Sequence, residues 1–141
     1  MINRRSFLLI GLLLAALAGP PAEAQVVIRP LWNETATIAN GASVSGTIDL
    51  KGRPLVGIFM PSAWTTATIT FQISRDGTTW YDLYNSFGDE LVAQAAASRF
   101  IAFSPNELLA ARYMRLRSGT SASAVNQGAA RTLYLMTREV Q

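Results

Sequence analysis

The chain has 141 residues, with 12 basic and 9 acidic side chains, a formal charge of +3 and half of its residues hydrophobic. It has no histidine and no cysteine. Ser-His-Asp and Cys-His nucleophiles, the usual zinc sites and any disulfide are therefore excluded.

Residues 1–24 read as a cleavable signal peptide. Arg4 and Arg5 form its charged start, residues 7–17 its apolar run, and Ala22-Glu23-Ala24 an A-x-A cleavage site before Gln25. The run is shorter than the ~20 residues of a membrane span, so no stable span is expected after cleavage. Asn3-Arg4-Arg5-Ser6-Phe7-Leu8 resembles a twin-arginine signal, with Asn3 where Ser or Thr is usual. The Sec and twin-arginine routes both stay open, and the expected location is periplasmic or secreted. No cysteine follows the signal, which excludes a lipoprotein anchor. Cleavage leaves 117 residues with a charge of +2. That is one domain, large enough to hold its own core. Residues 25–42 read as an N-terminal segment with room for a first strand, and 43–141 as the β-sandwich domain.

Val44, Gly46, Ile48 and Leu50 alternate with Ser45, Thr47 and Asp49, which predicts a half-buried strand over 44–50. Gly52-Arg53-Pro54 predicts a turn. Residues 55–60 are a continuous apolar run ended by Pro61, the pattern of a strand covered on both faces. Ala67, Ile69, Phe71 and Ile73 alternate with Thr68, Thr70 and Gln72, which predicts the clearest strand. Arg75-Asp76-Gly77 turns the chain, and a strand resumes over 80–84 with Trp80 expected in the core. Residues 93–97 read as a loop or short turn. Residues 99–103 predict a strand, and Ser104-Pro105-Asn106-Glu107 a helix start of about one turn, with Ser104 as its cap. Strands are expected over 113–117 and 131–137, joined by a small-residue loop over 118–130 that reads as mobile. With no internal repeat and no long amphipathic helix, the fold class is all-β, an antiparallel sandwich.

The chemistry points to binding rather than catalysis. The carboxylates after the signal are not placed by sequence as a facing acid–base pair. Asp76, Asp82 and Asp89 are the candidate ligands for calcium, against the preferred reading of turn residues and exposed carboxylates. No cofactor is required. Arg115 and Arg117 share one strand face with Arg112 on the other, and the preferred reading is a solvated face rather than a nucleic-acid groove. Trp64 sits in a loop, where an indole stacks on a sugar or anchors an interface, or else folds over the sandwich end. Trp32 belongs to a segment expected to be loosely held.

Three motifs carry a family resemblance. Ile-Thr-Phe-Gln-Ile-Ser-Arg-Asp-Gly-Thr-Thr-Trp over 69–80 resembles the central strand and turn of discoidin (coagulation factor type C) domains. Ala-Arg-Tyr-Met-Arg-Leu over 111–116 resembles their penultimate strand, and Ile48-Asp49-Leu50 with Val56-Gly57-Ile58 an earlier pair. The resemblance covers about residues 46–138 and implies a galactose-binding-like jelly roll with non-catalytic binding of sugars or lipid head groups. The family's longer N-terminal part and its disulfide are missing, so its ligand loops do not transfer to named positions. A looser resemblance is to small β-sandwich proteins of phage and prophage virions. The expectation is an exported, non-enzymatic module that recognises a glycan or cell-surface component through Trp64, Arg53 and Asn126. The alternative is a structural or assembly subunit that binds protein neighbours, with self-association left open.

Overall fold

The computed structural model describes residues 31–139. The signal peptide expected over 1–24 lies outside them. Nine strands are arranged in chain order: β1 Leu31–Ile38, β2 Ile48–Asp49, β3 Leu55–Phe59, β4 Ile69–Ser74, β5 Tyr81–Asp82, β6 Val92–Ala93, β7 Phe100–Ala102, β8 Tyr113–Ser118 and β9 Arg131–Arg138. One sheet has the order β1-β9-β3-β7 and the other β2-β8-β4-β5, with β6 also on β4. Every pairing is antiparallel. The chain crosses between sheets at each step from β1 to β4 and again from β6 to β9.

Period-two patterning explains which residues fill the space between the sheets. β9 turns Leu133, Leu135 and Thr137 inward and Tyr134 outward. β4 and β8 contribute Ile69, Phe71, Met114 and Leu116, all fully buried. β1 adds Ala36 and Ile38, β2 Ile48, and β3 Leu55 and Ile58, so both sheets feed one hydrophobic cluster. At its centre Phe71 meets Phe103 edge-on, with ring centroids 5.5 Å apart. Aromatic pairs in this geometry add about 1 kcal/mol beyond the area they bury.

Several local expectations are revised. The strand expected over 44–50 breaks at Gly46, which is exposed. Ser45 turns inward instead, and its hydroxyl accepts from the Leu116 amide at 3.0 Å. The apolar run over 55–60 is not covered on both faces. A bulge between Leu55 and Gly57 shifts its register. Leu55 and Ile58 therefore both face the core, while Phe59 stands in solvent. Val92–Ala93 forms a short strand on β4 that the Ala-rich pattern hid. Pro105–Glu107 is a single 3-10 turn, and the Ser104 side chain makes no capping bond. β1 pairs with β9 along its whole length, and Trp32 lies under the Arg53 guanidinium at 4.6 Å, so this segment is held.

Candidate binding surfaces

The loop after β3 places Trp64 at one end of the sandwich. Its indole N–H donates to the Ala67 carbonyl at 3.0 Å, and its ring packs against the core cluster. The next residue, Thr65, is joined to the 118–130 loop by Gln127. The Gln127 side chain is fully buried; it accepts from the Thr65 amide at 2.9 Å and donates to the Thr65 carbonyl at 3.1 Å. It also donates to the Ser118 hydroxyl at 2.7 Å. The loop closes on itself through the Val125 amide, which donates to the Ser118 carbonyl at 2.8 Å. Gly119 takes φ +89°, and any Cβ there would collide with the Ser123 carbonyl. Gly119 is thus required by close packing, and the loop is tied down at Val125 and Gln127, while residues 121–124 are exposed.

Asn126 is exposed beside Gln127 at this end. Arg53 is at the other. It precedes β3 while Trp64 follows it, so the strand alone separates them by roughly 16 Å. Arg53 donates to Glu34 at 2.8 Å and covers Trp32. The structure therefore brings Trp64 and Asn126 toward one end and leaves Arg53 out of that group.

The three candidate calcium ligands are also apart. Asp76 accepts the Thr79 and Thr78 amides at 2.7 and 2.8 Å and the Ser74 hydroxyl at 2.9 Å. These bonds hold its carboxyl well below the usual carboxylate range, the Thr79 amide contributing most. Asp82 pairs with Arg117. Asp89 accepts from the Asn85 side chain at 3.2 Å. Among the described residues no group of three or more acidic side chains could hold a metal ion.

The outer face of the second sheet is not the solvated arginine face that the spacing suggests. Arg117 is only 8% exposed and donates to both Asp82 and Glu90. Arg115 lies over the Trp80 ring at 3.9 Å, so Trp80 covers this face instead of entering the core. Glu90 also accepts from the Ser121 amide at 2.9 Å. It belongs to a hairpin over 83–91 that folds onto this face. Its tip is shaped by Asn85, whose side-chain carbonyl accepts from the Phe87 and Asp89 amides at 2.9 Å.

The outer face of the first sheet is different. Phe100 on β7, Phe59 on β3 and Tyr134 on β9 stand in register across three strands. They are 48%, 46% and 57% exposed. Phe59 and Phe100 meet at 4.6 Å between ring centroids. The close approach requires Gly57 on the same strand, because a Cβ there would run into the Phe100 ring. The partners of this row on that face, Thr35 and Met136, carry no charge. Sequence reasoning missed the site because Phe59 reads as core. The alternation of Leu133, Tyr134, Leu135 and Met136 was the usable signal.

These surfaces define an all-β, two-sheet antiparallel protein with an open aromatic face on one sheet and a closed polar network on the other. No protein-family model matches the chain, and no curated protein matches it. Among solved structures it is similar to the crystal structure of the SPBc2 prophage-derived protein YomS, at 13% sequence identity and a TM-score of 0.48, over 82% of this chain and 100% of that one.

Proposed function

We propose that this protein is an exported, non-enzymatic jelly-roll subunit that works by assembly, with the outer face of its first sheet packed against a protein neighbour. The observation that carries the reading is the Phe100–Phe59–Tyr134 row. Three large aromatic side chains held side by side across three strands of one sheet, with no charge among their cross-strand partners, have the composition of an interface centre. Aromatic anchors of this kind supply much of the affinity of protein interfaces. The jelly-roll assignment rests on the way the chain crosses between two four-stranded sheets, with β6 as a short addition.

The alternative, glycan recognition through Trp64, has less support. The Trp64 indole N–H is already bonded and its ring is packed against the core. Arg53 is also at the other end of β3.

The test is light scattering in line with size exclusion, combined with crosslinking from a photoreactive residue at position 134 in producing cells. The expected result is a defined oligomer or one dominant protein adduct, lost in Phe59→Ser. A monomer at high concentration together with no adduct would overturn the reading.

A further inference from the structure

We propose that a cleft beside the end of β4 binds a small amphipathic carboxylate, an aryl or acyl acid. Its apolar body would lie on Ile73, Tyr81 and Ala110, and its carboxylate between Arg75 and Arg112. The cleft has a volume of about 340 Å³ and is lined by these five residues together with Ser74 and Ala111. That lies within the range of small-molecule sites, which run from roughly 300 to 1,000 Å³ and combine apolar walls with a few polar groups.

The floor follows from strand pairing. Tyr81 on the edge strand β5 is directly opposite Ile73 on β4, so the two side chains share a face. Tyr81 is 61% exposed, which leaves its ring available to a flat apolar group.

The rim follows from the turn after β4. The Ser74 hydroxyl accepts from the Gly77 amide at 2.9 Å, and Asp76 accepts from Thr78 and Thr79. Arg75 is the turn residue whose side chain takes no part in these bonds, and it lines the cleft. Arg112 reaches the cleft from the segment before β8, with its guanidinium 5.1 Å from the Tyr113 ring centroid. That contact holds a guanidinium plane while leaving its N–H edge free for an acceptor.

Arg53 and Arg117 have carboxylate partners. Among the described residues, neither Arg75 nor Arg112 makes an ion pair. Two uncompensated guanidinium groups at an apolar cleft select a ligand with one anionic end and one apolar end, because planar guanidinium matches carboxylate bidentately. A sugar acid offers the charge without the apolar body.

The probes are 3-phenylpropionate, its neutral amide and glucuronate, titrated by NMR and calorimetry against the purified protein. The expected result is saturable binding of 3-phenylpropionate with shifts at Tyr81 and Ala110. The amide and glucuronate should each bind about tenfold more weakly or worse. Arg75→Gln and Arg112→Gln should each weaken 3-phenylpropionate about fivefold without changing Tm, since both side chains are exposed. Tyr81→Ser should weaken the apolar half of the interaction and leave the preference for acid over amide intact. No saturable binding, equal binding of the amide, tighter binding of glucuronate, or indifference to both arginine substitutions would overturn the proposal. The cleft is on the second sheet and the aromatic row on the outside of the first, so this result is independent of the assembly test.

Discussion

Arg117 on β8 donates to the carboxylate of Glu90 at 3.4 Å, across 27 residues of chain. The same guanidinium holds Asp82, and the same carboxylate holds the Ser121 amide. One nearly buried cation therefore ties the edge strand, the 83–91 hairpin and the 118–130 loop to the second sheet.

Removing that cation leaves two carboxylates facing each other in a partly desolvated site. Arg117→Met keeps most of the side-chain volume and removes the charge. It should cost about 3 kcal/mol, the range for breaking a buried ion pair from one side. In a domain of this size that is a fall in Tm of about 10 °C. A change under about 2 °C in a thermal melt would show that the triad contributes little to the fold.

Gln127→Leu tests the other tie. The substitution fills the space but leaves the Thr65 amide and carbonyl and the Ser118 hydroxyl without this partner. Each unsatisfied buried group costs about 1–3 kcal/mol, so a loss of about 3 kcal/mol is expected after partial relaxation. Hydrogen exchange should rise together over the Trp64 loop and the 118–130 loop. Faster exchange in only one of them would mean that Gln127 does not couple the two.

Much of the fold was legible because strands that alternate cleanly reveal both their extent and their inward face. Residues 67–73 and 131–137 are of this kind; β9 covers Arg131–Arg138, and β4 covers Ile69–Ser74, starting two residues after the pattern does. The pattern misleads where parity changes inside a strand. Before the break at Gly46 it is Ser45 rather than Val44 that is buried, while Ile48 and Leu50 beyond it face inward as the alternation predicts; the bulge before Gly57 turns Ile58 in and Phe59 out, and neither irregularity leaves a mark in hydropathy. The surfaces were less legible still. Arg117 reads as a surface residue because its partners, Asp82 and Glu90, are far away in sequence. Phe59 reads as core because an apolar run has no visible outer side. Gln127 reads as loop because its three bonds are to residues that only the fold brings near.

Asp76 makes stability depend on acid. Its folded-state pKa is depressed by the Thr79 and Thr78 amides, whereas an unfolded aspartate titrates near about 3.9. A group of this kind stabilises the fold above its unfolded pKa, and the contribution is lost as pH falls through the folded value. Asp76→Asn should therefore be less stable than the parent at pH 7, and the difference should shrink steadily below about pH 4. Urea midpoints at pH 7 and pH 2.5 give the comparison. An equal gap at both pH values would mean that the carboxylate charge is not what holds the turn.

Gly57→Ala connects the backbone to the proposed interface. The new methyl group would enter the space of the Phe100 ring, and the backbone there is pinned by pairing on both sides, to β7 and to β9. Phe100 is on an edge strand and half-exposed, so its ring is the part free to move. Overpacking should cost about 1 kcal/mol and leave the protein folded, because the displaced ring swings into solvent rather than into the core. The Phe59–Phe100 contact at 4.6 Å should be lost, along with the row of rings that continues to Tyr134. If that row is the interface, association should weaken at least tenfold while Tm falls by only a few degrees. Loss of the Phe59–Phe100 nuclear Overhauser effects with unchanged association would show that the face is used without Phe100. Unchanged association and unchanged ring contacts would show that the glycine is not what allows the two rings to meet.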